Sequence, residues 1–172
     1  MPTLEIEGKQ YEARCDFKFE RTAEEKYNEK DESGNKQGGL RNVYLGLLEQ
    51  RSSLYLIRFW DCALSHLKDK KPSVEKIEEA LAKVIEDEGA KGAERLYKEA
   101  FQAVDQSGFF AVQVKRIWQD FDVLKKEIKQ RVGETEAEFL KRKQEREDAK
   151  EMMAELEKLR KAMNKYTMTQ LF

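Results

Sequence analysis

LEIEGKQYEARCDFKF, residues 4–19, alternates apolar and polar side chains at the head of a chain whose remainder repeats at helical spacing. Leu4 and Ile6 are apolar at even positions, whereas Tyr11, Ala13, Cys15, Phe17 and Phe19 are apolar at odd ones. A two-residue turn at Gly8-Lys9 explains the change of phase. It sets Ile6 opposite Tyr11 and Leu4 opposite Ala13 on one face, with Gly at the first central position of a type II′ turn. Glu5, Glu7, Glu12 and Arg14 then face water. A lone hairpin is marginally stable, so its apolar face has to rest on helices. The fold expected is mainly α (α+β): an N-terminal β-hairpin packed on a small helical bundle, followed by a long C-terminal helical extension.

Working outward, Thr22 and Glu25 form a Thr-x-x-Glu capping pattern for a short helix. KDESGNKQGG (30–39) reads as a polar, mobile loop. Leu40, Val43, Tyr44, Leu47 and Leu48 lie on one helical face over 40–50. Ser52 or Ser53 caps the next helix, whose Leu56, Ile57, Trp60, Ala63, Leu64 and Leu67 make a broad stripe, the most buried expected. KKPSVEKIEEALAKVIEDEG (70–89) carries Ser73 as N-cap, Glu75 in the first turn and Gly89 at the end, around a Val74, Ile77, Leu81, Val84 stripe. Leu96, Tyr97, Ala100, Phe101 and Val104 continue in a helix over 90–106, which SGFF (107–110) interrupts. Phe110, Val114, Ile117, Phe121, Leu124 and Ile128 stay in phase along a further helix, and Gly133 breaks the pattern again. The organisation expected is a core of residues 1–132 and a charged helical extension of residues 133–172. In that extension Ala149, Met152, Leu156, Leu159, Met163 and Tyr166 follow a seam of alternating three- and four-residue steps.

Charge excludes several classes of function. Lys and Arg number 33 against 34 Asp and Glu, so there is no bulk attraction for nucleic acid or anionic lipid. The longest apolar stretch, 53–67, is broken by Arg58 and Asp61 and is not expected to span a membrane. The N-terminus has no basic-then-apolar leader pattern. Cys15 and Cys62 are far apart and read as reduced thiols.

No catalytic constellation emerges. The one histidine, His66, sits near a helix end and reads as a capping or surface group. Metal ligation needs clustered Cys, His or carboxylates, and the carboxylates here interleave with Lys and Arg as i,i+4 pairs. GAKGAER (90s region, opening at Gly89) has two glycines but neither a phosphate-loop ending nor a preceding strand. KRKQER (141–146) is neutralised by Glu145, Glu147 and Asp148. A helix-turn-helix around SGFF would present Gln113, Lys115, Arg116 and Asp120, a weakly basic face. The expectation is therefore a binding protein with no catalytic residue, cofactor or metal, and with neither nucleic acid nor membrane as partner.

The order of short motifs adds to this. Leu4-x-Ile6-x-Gly8-Lys9-x-Tyr11 is followed by Phe17-x-Phe19, Gly39-Leu40, Pro72-Ser73 and Ser107-Gly108-Phe109-Phe110. Over about residues 3–118 this resembles the tail assembly chaperones of long-tailed, non-contractile bacteriophages and prophages of Gram-positive bacteria. The resemblance implies a non-catalytic protein of the host cytoplasm, absent from the finished virion. Such proteins bind the tape measure protein, keep its helical segments soluble, and help tail-tube protein polymerise around it. The resemblance also admits a homo-oligomer, and an extension after Gly133 made by translational frameshifting. A small helical nucleic-acid-binding regulator and a structural tail or head-completion protein are the competing readings. Two candidate contact regions follow for an amphipathic helical partner: the aromatic region of Phe109, Phe110 and Trp118, and the seam of Met152, Leu156, Leu159, Met163 and Tyr166.

Overall fold

A computed structural model describes residues 1–49 and 51–165. Strands β1 (Thr3–Ile6) and β2 (Lys9–Glu12) form an antiparallel hairpin. Helices α1 (Phe17–Lys26), α2 (Gly39–Glu49), α3 (Ser53–Ala63) and α4 (Val74–Asp105) follow, then α5 (Ala111–Asp122) and α6 (Glu136–Asn164). The mainly helical fold with an N-terminal hairpin and a long C-terminal helix is as the sequence predicts. The chain divides into two compact units, Met1–Ala111 and the part from Val112 onward. The division falls before α5, whereas the pattern break in the sequence is at Gly133.

The hairpin keeps the predicted faces but not the predicted turn. Glu7 (φ 52°) and Gly8 (φ 77°) are the two turn residues, and both have positive φ, as a type I′ turn requires. Leu4 therefore pairs with Tyr11 and Ile6 with Lys9. A shift of two residues preserves the pleat, so Leu4, Ile6 and Ala13 still point inward and are buried, while Glu5 and Glu12 are exposed. The second strand is also shorter than its alternation suggests. Pairing stops at Glu12, the Arg14 N–H turns to the Ala63 carbonyl, and Asp16 starts α1 as its N-cap: its carboxylate accepts from the Lys18 and Phe19 backbone N–H groups at 2.9 and 3.0 Å. Thr22 thus lies inside α1 and caps nothing; its hydroxyl donates to Ser65 Oγ at 2.8 Å.

That change of period moves Phe17. Residues two apart share a strand face but are about 200° apart around a helix. Phe19 and Ala23 turn into the core at 0% exposure, and Phe17 is carried outward, 72% exposed.

The 30–37 segment is a polar loop between α1 and α2, as predicted, with an isolated bridge between Lys30 and Lys36. Asp31 organises it, accepting from the Asn35 N–H at 2.8 Å and from Gln37 Nε2 at 2.7 Å. Helices α2 and α3 share the most enclosed side chains. Tyr44, Leu47, Leu48, Leu56 and Phe59 are 0% exposed, and Trp60 is 1%. Phe19 lies between Phe59 and Phe110, at ring-centroid distances of 5.8 and 5.3 Å. Tyr44 stacks on Phe101 at 5.2 Å. Helix α4 begins at the predicted cap, where Ser73 Oγ accepts the Lys76 N–H. The second predicted punctuation also appears: Gly89 (φ 64°, ψ −146°) bends the helix into arms 74–88 and 90–105.

Between α3 and α4, residues 65–70 form a tight helical turn in which Lys68 is left-handed (φ 54°, ψ −123°). A residue with a Cβ is strained there, and glycine is not. Lys68→Gly should raise unfolding free energy by about 1 kcal/mol, read as a higher midpoint in urea at unchanged slope.

In the second unit α5 ends at Asp122, short of the predicted run to Ile128, and a turn at 123–125 follows. The reason lies on α6. Arg146 donates to the carbonyls of Val123 and Lys126, and Arg142 donates to the carbonyl of Lys129 at 3.0 Å. Carbonyls that a continuing helix would pair internally are thereby satisfied from outside. Thr135 and Glu138 close α6's N-terminus with a reciprocal capping box.

Candidate partner-binding surface

The buried carboxylate of the first unit, Asp61, is fully partnered, whereas Arg58 Nε and Nη1 and Trp60 Nε1 are buried without a hydrogen-bond partner among the described residues. Asp61 is 1% exposed, and its carboxylate accepts from Lys71 Nζ, from Lys26 Nζ at 2.9 Å and from the Tyr27 hydroxyl at 2.8 Å. Burial alone would raise its pKa; the hydrogen bonds from Lys71, Lys26 and Tyr27 outweigh burial and hold it below the usual carboxylate range. Both oxygens are occupied, which suits a structural tie more than a proton carrier. Burial pushes the Cys15 thiol up to about 12, and the thiol donates to the Ala103 carbonyl. Burial raises Cys62 as well, so neither thiol is activated. His66 Nδ1 lies 3.0 Å from the Ala63 carbonyl oxygen at the helix end. Among the described residues no group of three or more His, Cys, Asp or Glu could hold a metal ion, and no helix is long and apolar enough to cross a membrane.

The surface is more informative. Phe109 is half-buried, with its ring edge-to-face on Phe17 at 4.6 Å and on Phe110 at 5.2 Å. Phe110 is 0% exposed and packs on Phe19, so it supports this aromatic group from beneath and offers no surface of its own. Phe17 is the outermost ring. By its alternation Phe17 falls on a strand, and it lies outside the two contact regions that the sequence suggests. The signal that locates it is Asp16, a good N-cap, ahead of Phe19 and Ala23 at a four-residue step. Beside this group, the Phe109 N–H donates to Ser107 Oγ at 3.2 Å. Ser107 also lines an open groove of about 410 Å³ with Met1, Pro2, Gln102, Ala103 and Gln106.

The remaining candidates belong to the second unit. Trp118 is half-buried under the Arg160 guanidinium, 4.8 Å from its ring centroid, in a groove of about 520 Å³ also lined by Asp122, Glu157 and Lys161. On α6 the buried stripe is Met153, Leu156 and Met163, with Leu159 half-buried; Met152 is 52% exposed. The inward face is rotated by one position from the predicted seam at Met152, because α6 aligns on the turn after α5 through Arg146 and through Lys125–Glu157 (2.8 Å). Leu156 and Met163 are thus core residues of this unit, and Met152 faces water. Tyr166 lies outside the described residues. Arg142 and Arg146 of the basic run are engaged with Glu134 and backbone carbonyls.

No curated protein and no solved structure gives a significant match. A family profile does: the description "Phage tail assembly chaperone protein, TAC" matches residues 3–119, from the first strand of the hairpin through most of α5. The chain therefore belongs to the phage tail assembly chaperone family.

Proposed function

We propose that this chaperone acts without catalysis, by covering apolar faces of a helical tape measure protein while tail-tube protein polymerises around it. On this reading it works in the host cytoplasm and leaves before the virion is complete. The observation that carries the reading is Phe17 seated edge-on against Phe109. A side chain of that size left 72% in water has no role in the monomer's core, and it lies within the family-matched residues. Exposed aromatic anchors suit an amphipathic helix that inserts apolar side chains at helical spacing. The near balance of 33 basic and 34 acidic residues suits contacts that rest on apolar burial and depend little on salt.

The test is co-expression with the tape measure protein of the same phage. The full chain should keep that protein in the soluble fraction. Phe17→Ser should reduce the captured amount about tenfold, with thermal unfolding unchanged because the ring is mostly solvated. Met152→Glu asks the same question of α6 without touching the buried Leu156. Undiminished capture by Phe17→Ser would remove the aromatic group from the contact. No capture by the wild type would remove the tape measure protein as the partner.

A further inference from the structure

The GAKG segment, Gly89 to Gly92, is not used by the contacts above, and its geometry is unusual for the middle of a helix. Gly89 takes φ 64°, ψ −146°, a region essentially reserved for glycine. The bend is sharp. A Cβ placed on Gly92 would lie 2.5 Å from the Glu88 Cβ and 3.1 Å from the Val84 carbonyl oxygen. In a straight α-helix, residues eight apart are separated by about 12 Å along the axis. Arg95 closes the same corner, its guanidinium reaching Glu88 through Nη2 at 2.7 Å and Nε at 3.2 Å. Residues 86–91 are all exposed, so no packing holds the corner. It rests on one glycine conformation, one glycine contact and a solvated ion pair, which contributes little.

Both arms, by contrast, are bound firmly to the core. Ile77 and Leu81 are buried on the first, and Leu96, Ala100, Phe101 and Val104 on the second. The second arm also stacks Phe101 on Tyr44, whose hydroxyl donates to Asp105 at 2.6 Å. Straightening the corner would gain continuous helical hydrogen bonds and carry the second arm away from its own α2. A second copy, straightened alike, offers an identical α2 to receive it.

We propose that the 89–92 bend is a hinge held closed by its glycines, and that once it is straightened two copies of the chain exchange the α4 arm that follows it, each arm completing the other copy's core. The occupant of the vacated face is the same sequence, so the contacts of the arm with the core are remade, no new surface is needed, and only the corner's own contacts are given up. The two glycines hold the bent form: each is a poor helix residue, and each becomes a liability only when the helix straightens.

The test is the full-length double variant Gly89→Ala, Gly92→Ala, which cannot keep the bend and favours a continuous helix. Light scattering after size exclusion should give twice the wild-type mass, with near-UV circular dichroism per chain retained. The pair should persist on hundredfold dilution and separate only after unfolding. A variant of wild-type mass with an intact spectrum would overturn the proposal, since the bend would then not need its glycines. So would a pair that dissociates on dilution without unfolding, because exchanged arms cannot part that way. Failure to fold at every concentration would also overturn it, since the second copy would not be completing the core. Gly108→Ala, at a glycine with nothing within 4 Å of an added Cβ, should leave the mass unchanged.

Discussion

Asp61→Ala should lower the unfolding free energy by about 3 kcal/mol, a large part of the 5–15 kcal/mol typical of a domain. The carboxylate is 1% exposed and joins three elements: Lys26 and Tyr27 from α1 and its end, and Lys71 from the segment before α4. Removing it leaves the Lys71 ammonium, 17% exposed, without its counter-charge. Lys26 is 51% exposed and returns to water at little cost, which keeps the figure near the low end for a broken buried pair. Asp61→Asn preserves shape and one acceptor and should cost less. The pH dependence has a definite sign. The folded pKa of Asp61 is depressed below its unfolded value of about 3.9, so its contribution is complete above that value and is lost as pH falls through the folded pKa. Urea unfolding at pH 7 and at successively lower pH should show wild type and Asp61→Asn converging in acid. A constant difference down to pH 2 would show that the carboxylate's charge is not what stabilises this corner. Combining Asp61→Ala with Lys71→Met should recover part of the loss, which a double-mutant cycle measures.

Much of the frame was legible because local signals agreed with the tertiary outcome. Ser73, Gly89 and the Ile77-Leu81 spacing mark α4 and its bend without reference to any other segment. The hairpin faces were legible for the same reason, while its turn was not, because Glu7 in a left-handed conformation competes poorly on propensity with a Gly-first turn. Misreadings cluster where a long-range contact decides. The odd-position run through Cys15, Phe17 and Phe19 is compatible with a strand, and the Asp16 cap switches it to helix at Phe17. The α5 pattern runs on to Ile128, but arginines from α6 take the carbonyls after Asp122. On α6, adjacent Met152 and Met153 give two seams that differ by one position, and only packing selects Met153. The candidate surface was half legible for the same reason. SGFF stood out as an aromatic punctuation mark, yet its exposed partner Phe17 becomes visible only once the period around it is known to be helical.

Gly39→Ala should be as damaging as any core truncation, costing about 3 kcal/mol or more, although it adds a single methyl group. Gly39 opens α2 against the backbone of α1. A Cβ there would sit 1.9 Å from the Ala23 carbonyl oxygen and 2.6 Å from the Glu24 nitrogen. Both are main-chain atoms of a formed helix, so no rotamer change relieves the overlap and α1 has to move away from α2. That displacement would loosen Phe19 and Ala23 from the core and break the bond from the Leu40 N–H to the Glu24 carboxylate, 3.3 Å in the closed packing. The same movement would disturb the exposed aromatic group, because Phe17 rides on α1. Gly108→Ala provides the comparison: it belongs to the Ser107-Gly108-Phe109-Phe110 run but has nothing within 4 Å of an added Cβ, and should stay within about 0.5 kcal/mol of wild type. Thermal or urea unfolding of the two variants side by side checks the claim. Equal, small effects would mean that α1 and α2 do not approach to backbone contact at Gly39. A large loss at Gly39 alone would explain why a Gly-Leu pair opens α2: only a residue without a side chain lets these two helices close over Phe19 and hold Phe17 beside Phe109.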